Sequence, residues 1–158
     1  MDDLSRIVEE QERILRFPSL DFDMIGRICS GICDRVMSMG ATGYVRASVN
    51  GMVVYARALA GASRNNEEWA RRKANVCHRY GISSLHVVLR LARDGKTLEG
   101  CGMDNADYGL SGGSFPILLP SGIPVGSITF SGMAGEEDHQ VVCDAIAAEL
   151  GVDVPSIL

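Results

Sequence analysis

Apolar residues recur with the 3.6-residue period of an α-helix in five stretches of the chain. The first stretch, Leu4 to Arg16, is otherwise mostly charged, so it predicts a helix on the surface rather than in the core. The other four predicted helices follow cap signals near Asp23, Asn65, Ser84 and Glu136, and they end at Gly40, Gly81, Asp94-Gly95 and Gly151. Asn65 and Glu68 are expected to form a capping box.

Two further stretches have the composition of β-hairpins. Tyr44 to Val49 and Met52 to Arg57 are rich in β-branched and aromatic residues, and the Asn50-Gly51 pair between them is typical of a type I′ turn. Phe115 to Leu119 and Pro124 to Ser131 form the second predicted hairpin, which turns at Pro120-Ser121-Gly122. Thr97 to Cys101 is a candidate short strand. Two hairpins separated by a helical pair, with helices at both ends, predict an α+β domain whose antiparallel sheet is covered by helices.

Size, charge and cysteine usage narrow the class of protein. A chain of 158 residues suits a single domain, 1–158, with a surface helix in 1–20 and an apolar tail, 151–158, that we expect to dock. The net charge of −5 argues against a nucleic-acid partner, and no apolar run is long enough for a transmembrane helix, so no membrane partner is expected. The five cysteines lack the spacing of a disulfide framework or a zinc site, which favours a cytoplasmic location and no metal.

Several motifs, in order along the chain, resemble the haem-degrading or GlcG-like domain family, and specifically its small cytoplasmic branch. The matching stretches are Ala58-Leu59-Ala60-Gly61-Ala62-Ser63, Asn66, Trp69, Arg71-Arg72-Lys73, Gly81-Ile82-Ser83-Ser84, Gly112-Gly113-Ser114-Phe115-Pro116-Ile117, Val125-Gly126-Ser127-Ile128, Ser131-Gly132 and Asp138-His139. The resemblance implies a profilin-like fold, with an antiparallel sheet of about five strands between helix layers, and it implies homo-oligomers. It also makes haem the candidate cofactor. One departure is Ser111, which stands where the family often has a histidine before the glycine pair.

Three features of these motifs have alternative interpretations. The backbone of Gly112-Gly113-Ser114 either cradles an anion or makes a tight turn at the start of a strand. His139 lies on the apolar stripe of the last helix, where it is either a hydrogen-bonded packing residue or a functional one, that is, a metal or haem ligand or a general base. Lys73 shares the face of Trp69 and either extends to the surface or points at an anionic ligand. The charges of Arg71 and Arg72 are expected to be paired with glutamates at i−4. His78 and His86 fall on polar positions of their helices, where no specific role is predicted.

These features lead to three functional hypotheses. The preferred one is a cytoplasmic homo-oligomer that binds a small, anionic or haem-like molecule without fast catalysis. The second is a haem-binding or haem-degrading enzyme that uses His139. The third is an assembly protein in which the tail and Arg71-Arg72-Lys73 make subunit contacts. No catalytic residue is assigned. The predicted ligand-binding residues are Asn66, Trp69, Arg72, Lys73, Gly112, Gly113, Ser114, Phe115, Ser131, Asp138 and His139.

Overall fold

A computed structural model describes residues 2–158, which form five helices, four strands and one 3-10 turn. In chain order these elements are α1 (Asp3–Ile14), α2 (Phe22–Ser38), β1 (Tyr44–Val49), β2 (Met52–Ala58), α3 (Arg64–Tyr80), α4 (Ser84–Arg93), the 3-10 turn (Glu99–Cys101), β3 (Ser114–Leu118), β4 (Pro124–Ser131) and α5 (Gly135–Leu150). The predicted α+β class and the two predicted hairpins are confirmed.

Both hairpins belong to one antiparallel sheet with the strand order β2-β1-β4-β3. Strand β1 joins them, because it pairs with β2 on one side and with β4 on the other. The prediction of about five strands was wrong by one, since the candidate strand at Thr97 to Cys101 forms the 3-10 turn instead. The hydroxyl of Thr97 accepts a hydrogen bond from Gly100 N (3.0 Å), and its carbonyl accepts one from Cys101 N (3.1 Å). These local bonds keep the segment out of the sheet.

The two faces of the sheet differ in chemistry, because successive side chains of a strand point to opposite sides. One face packs on α2 and α5 in the main hydrophobic core, to which the sheet contributes Val45, Ala47, Phe115, Ile117, Ile128 and Phe130. The other face, over which α3 lies, carries buried hydroxyls from Ser48, Ser114, Ser127, Thr129 and Ser131. The layer between α3 and the sheet is therefore polar, and it is the part of the fold where binding sites can form.

The caps of α2 and α3 lie two residues earlier than the sequence indicated. The cap of α2 is Asp21, whose carboxylate accepts from Asp23 N (2.9 Å) and Met24 N (3.2 Å), so the prediction of Asp23 was wrong. The cap of α3 is Ser63, and its capping-box partner is Asn66 rather than Glu68. In each case a side chain with the same capping chemistry stands slightly upstream, and the helical period alone does not choose between them.

Helix α1 is more than a surface helix, because its inner side carries two buried polar residues. Glu12 accepts a hydrogen bond from Ser83 N (2.8 Å) and pairs with His86 Nδ1 (2.9 Å), so the expectation that His86 has no specific partner was wrong. Gln11 Nε2 donates to Pro155 O (2.8 Å), which fastens the C-terminal tail to α1. The tail therefore contacts α1 of its own chain.

Candidate functional site

A pocket of about 210 Å³ opens between the first turns of α3, the end of β4 and the first turn of α5. We call it the Trp69 pocket. Five of the predicted ligand-binding residues line it together with Ser111, Gly132 and Met133, which the sequence did not single out as binding residues. The five are Asn66, Trp69, Lys73, Ser131 and Asp138. Pairing of β1 with β4 and packing of α3 across β4 bring these distant segments together.

A buried ion pair forms the base of the Trp69 pocket. Lys73 and Asp138 are 1% and 2% exposed, and Lys73 Nζ lies 2.8 Å from Asp138 Oδ2. The ammonium group also donates to Gly112 O (2.9 Å) and Phe130 O (2.8 Å), so its three N–H groups are all used. Burial lowers the pKa of Lys73 and raises the pKa of Asp138, and in each case the opposite charge of the partner works against that shift.

The carboxylate of Asp138 is equally saturated. Its Oδ1 accepts from Met133 N (2.8 Å), and its Oδ2 accepts from Gly132 N (3.4 Å) as well as from Lys73. The donors are a cation and two backbone N–H groups of the loop just before the N-cap of α5, a set that could otherwise hold an anionic ligand. Asp138 thus fills this anion position with a carboxylate of the protein itself.

The glycine pair before β3 serves close packing. A Cβ atom on Gly112 would lie 2.4 Å from Gly135 O, and one on Gly113, whose φ is +126°, would lie 2.5 Å from Phe130 O. The carbonyl oxygen of Gly112 accepts from Lys73, and that of Gly113 accepts from Phe130 N (2.9 Å). Because the pair presents carbonyl oxygens to its neighbours, the geometry favours the tight turn over the anion cradle.

Three other predicted binding residues lie in the interior, apart from the pocket. Phe115 is fully buried, and the hydroxyl of Ser114 pairs with Thr129 Oγ1 (2.8 Å). His139 is 1% exposed, and its Nε2 lies 2.7 Å from Gln11 Oε1. Burial, with a smaller contribution from the charge of His86, lowers the pKa of His139 to about 3, so the ring is neutral at physiological pH.

The two arginines beside the pocket have different surroundings. Arg71 pairs with Glu68 (3.1 Å) and Asp107 (3.0 Å), so its predicted partner at i−4 is replaced by Glu68 at i−3. Arg72 stacks on Trp69, with its Cζ 4.4 Å from the ring centroid, and donates to Tyr108 O (3.4 Å). Within residues 2–158 it has no carboxylate partner, and its buried Nε has no acceptor.

Hydrogen-bond donors remain available at the walls of the Trp69 pocket. Asn66 Oδ1 accepts a hydrogen bond from Ser63 N (2.9 Å), so the amide Nδ2 of Asn66 remains available as a donor. Neither that amide, nor the indole N–H of Trp69, nor the hydroxyl of Ser131 meets an acceptor in the described part of the chain. A donor-rich wall next to a guanidinium that has no carboxylate partner suits a ligand that is rich in acceptors.

Residues 2–158 contain neither a cluster of metal-ligating side chains nor a helix that could cross a membrane. No three histidine, cysteine, aspartate or glutamate side chains in that range could together hold a metal ion. None of its helices combines the length and the apolar character that a membrane crossing requires.

Comparisons with known proteins place the chain in a family. A model described as "Haem degrading protein HbpS-like" matches residues 20–147. A UPF0303 protein of Rhizobium rhizogenes is 37% identical over 158 residues, covering 98% of this chain and 95% of that protein.

Solved structures support the same fold. The crystal structure of the Ybr137w protein superposes with a TM-score of 0.85 at 21% identity and covers 95% of this chain and 90% of that one. A PduOC–haem complex gives a TM-score of 0.71 at 21% identity and covers 87% of this chain and 98% of that one. At such low identity the two structures show the fold alone. The family match and the 37% identical relative go further, and together they show that the chain belongs to the HbpS-like family of haem-degrading proteins.

Proposed function

We propose that this protein binds a small organic anion in the Trp69 pocket and that it acts as a ligand-binding protein rather than as a fast catalyst. The observation that carries the proposal is the set of unpartnered donors on Asn66, Trp69 and Ser131. Beside them, the guanidinium of Arg72 stacks on Trp69 and has no carboxylate partner within residues 2–158. The acidic residue of the pocket does not oppose an anion, because Lys73 neutralises Asp138. The two serines of the pocket, Ser111 and Ser131, have no base beside them within residues 2–158, because the one carboxylate of the pocket is paired with Lys73. We therefore do not assign a reaction.

The size of the pocket limits the ligand. Binding sites for drug-sized molecules and cofactors are about 300–1,000 Å³. At about 210 Å³ the Trp69 pocket is smaller than that range. A short carboxylic acid or a single-ring acid therefore fits the pocket better than a tetrapyrrole.

Calorimetric titration with acetate, succinate and benzoate tests the proposal. We expect at least one of these acids to bind saturably, and we expect Asn66→Ala to weaken binding about tenfold by removing one donor to a charged ligand. The matched control is Asn65→Ala, because Asn65 is the exposed neighbour and does not line the pocket. No heat with any of the acids, or equal weakening by both variants, would refute the proposal.

A second candidate function is haem binding, which the family description and the PduOC–haem structure favour. The histidines of this chain do not fit as haem ligands. Nε2 of His139 is hydrogen-bonded to Gln11 inside the core, and Nδ1 of His86 is hydrogen-bonded to the buried Glu12. In His78 the Nε2 contacts the hydroxyls of Ser48 and Ser127. We therefore expect any Soret change on adding hemin to be the same in His139→Ala, and loss of the change in that variant would show that His139 is a ligand.

We also propose that the protein forms homo-oligomers in the cytoplasm. The outer edge of β2 is unpaired within residues 2–158, and Met52 and Val53 on this strand are 56% and 49% exposed. The unpaired N–H and C=O groups of such an edge can pair with a strand of another chain. The basic cluster is a weaker contact surface, because Lys73 is buried and Arg71 is paired within the chain. The five free cysteines suit a reducing compartment. Native mass spectrometry that found only monomer at all concentrations would refute the self-association.

A further inference from the structure

One wall of the Trp69 pocket continues into a loop that has neither helix nor strand, residues 104–110. The loop leads to Ser111, which lines the pocket. Two side chains of α3 fasten it to that helix. Arg71 donates to Asp107 Oδ1 (3.0 Å), and Asn75 donates to the carbonyl oxygen of the same residue (2.8 Å). The loop therefore lies at a fixed place beside α3.

Gly109, which is buried near the end of this loop, is tied to two parts of the pocket wall. Its N–H donates to Arg72 O on α3 (3.2 Å), and its carbonyl oxygen accepts a hydrogen bond from Ser111 N (3.2 Å). Because these two bonds hold its backbone from both sides, Gly109 can yield little to a side chain that presses against it.

No room remains for a side chain at Gly109. A Cβ atom there would lie 2.8 Å from Cζ3 and 3.1 Å from Cε3 of Trp69, and 3.2 Å from Cβ of Arg72. Carbon atoms that are not bonded to each other pack at about 3.5–4.0 Å, so the indole ring would have to move. Gly109 is not one of the glycines with a positive φ, and its backbone conformation therefore admits alanine. Glycine is needed at this position for space alone.

Packing rather than hydrogen bonding sets the position of the Trp69 ring. The indole N–H meets no acceptor within residues 2–158, and the χ2 torsion of tryptophan has only a broad preference. The guanidinium of Arg72 stacks on the ring, with its Cζ 4.4 Å from the ring centroid. The backbone of Gly109 lies against the edge formed by Cε3 and Cζ3. A change at either neighbour should therefore displace the ring.

From these contacts we propose that Gly109 is a positioning residue of the Trp69 pocket. By lacking a side chain, it lets the indole ring stand where its N–H can donate to an acid bound in the pocket. The inference rests on the proposed function of the pocket. It adds that the size of the residue at position 109 determines how well an acid binds, although Gly109 itself does not line the pocket.

Spectra of ¹⁵N-labelled protein without any ligand give the first test. We expect Gly109→Ala to shift the indole N–H resonance of Trp69, while the amide resonances of β2, at the other edge of the sheet, stay in place. The matched control is Gly26→Ala in α2, because a Cβ atom on Gly26 would have nothing within 4 Å. This variant should leave the indole resonance unchanged. An indole resonance that does not move in Gly109→Ala overturns the inference, whether or not an acid binds.

Calorimetric titration gives the second test, with whichever of acetate, succinate and benzoate binds the wild-type protein most tightly. Gly109→Ala should weaken binding about tenfold, the scale of one lost hydrogen bond to a charged ligand, whereas Gly26→Ala should stay within about twofold of wild type. If none of the acids binds the wild-type protein, the proposed function is refuted and the inference falls with it.

A double variant separates positioning of the ring from a general need for glycine in the loop. Trp69→Phe removes the Cε3 and Cζ3 atoms that a side chain at position 109 would meet. In that background Gly109→Ala should change affinity by less than about twofold and should lower the Tm less than it does alone. This comparison holds even if the single variant folds poorly. Losses of affinity and Tm that are the same with and without Trp69→Phe overturn the inference.

Discussion

The neutral, buried state of His139 leads to a prediction whose magnitude can be worked out. The unfolded chain binds a proton at this ring below its ordinary pKa of 6.5, whereas the folded protein keeps the ring neutral down to about pH 3. Between these values the unfolded state holds the extra proton, so acid lowers the free energy of unfolding by about 1.4 kcal/mol per pH unit. This contribution to stability is complete above pH 6.5 and is lost as the pH falls towards 3.

Replacing His139 with glutamine removes the titration. His139→Gln will change the free energy of unfolding by some amount at pH 7.5. Relative to that value, the destabilisation by the variant should be smaller by about 1.4 kcal/mol at pH 5.5 and by about 2.7 kcal/mol at pH 4.5. Urea unfolding followed by the fluorescence of Trp69, the single tryptophan, measures each value. His78→Gln is the control and should show a smaller pH dependence, because that ring is exposed on one side. A cost of His139→Gln that is equal at all three pH values would refute the assignment.

Three further predictions test the surroundings of the site. Asp138→Asn should lower the free energy of unfolding by about 3–5 kcal/mol, because it leaves Lys73 buried without its counter-charge. The control, Glu136→Gln in the same helical turn, should change that free energy by less than about 0.5 kcal/mol. Similar values for the two variants would contradict the buried ion pair. Gly113→Ala should lower the Tm by more than about 3 °C because its φ of +126° is strained for alanine, and a Tm equal to wild type would contradict this geometry. A thiol reagent should label only Cys101 in the folded protein, since the other four cysteines are buried; labelling of two or more thiols before unfolding would show a more open core.

The parts of the fold that the sequence predicted correctly are those that local chemistry determines. Asn50-Gly51 specifies a hairpin turn almost independently of its surroundings, and both hairpins were found on such turn signals. The candidate strand near Thr97 failed, because a single hydroxyl can hold a 3-10 turn where the β-propensity is weak. Local patterns therefore gave the elements, but they could not decide between two weakly favoured states of a short segment.

The candidate site was predictable only in part, because it depends on contacts between residues far apart in the chain. The helical period correctly grouped Lys73 with Trp69 on one face, but it could not show that Asp138 and two carbonyl oxygens would saturate the ammonium group. It also placed His139 on an apolar stripe without identifying Gln11, more than a hundred residues away, as its partner. The buried Glu12 was missed because a charged helix normally indicates a solvated surface.

The central claim is that the Trp69 pocket binds a carboxylate through donors on its walls while Asp138 remains paired with Lys73. The most direct test is to follow the indole N–H resonance of Trp69 in ¹⁵N-labelled protein during a titration with succinate. We predict a saturable shift of this resonance in the wild-type protein. The affinity for succinate obtained from the titration should be about tenfold lower in Asn66→Ala and unchanged in Asn65→Ala. An indole resonance that does not move, or that moves equally with the neutral diamide of succinate, would contradict the claim.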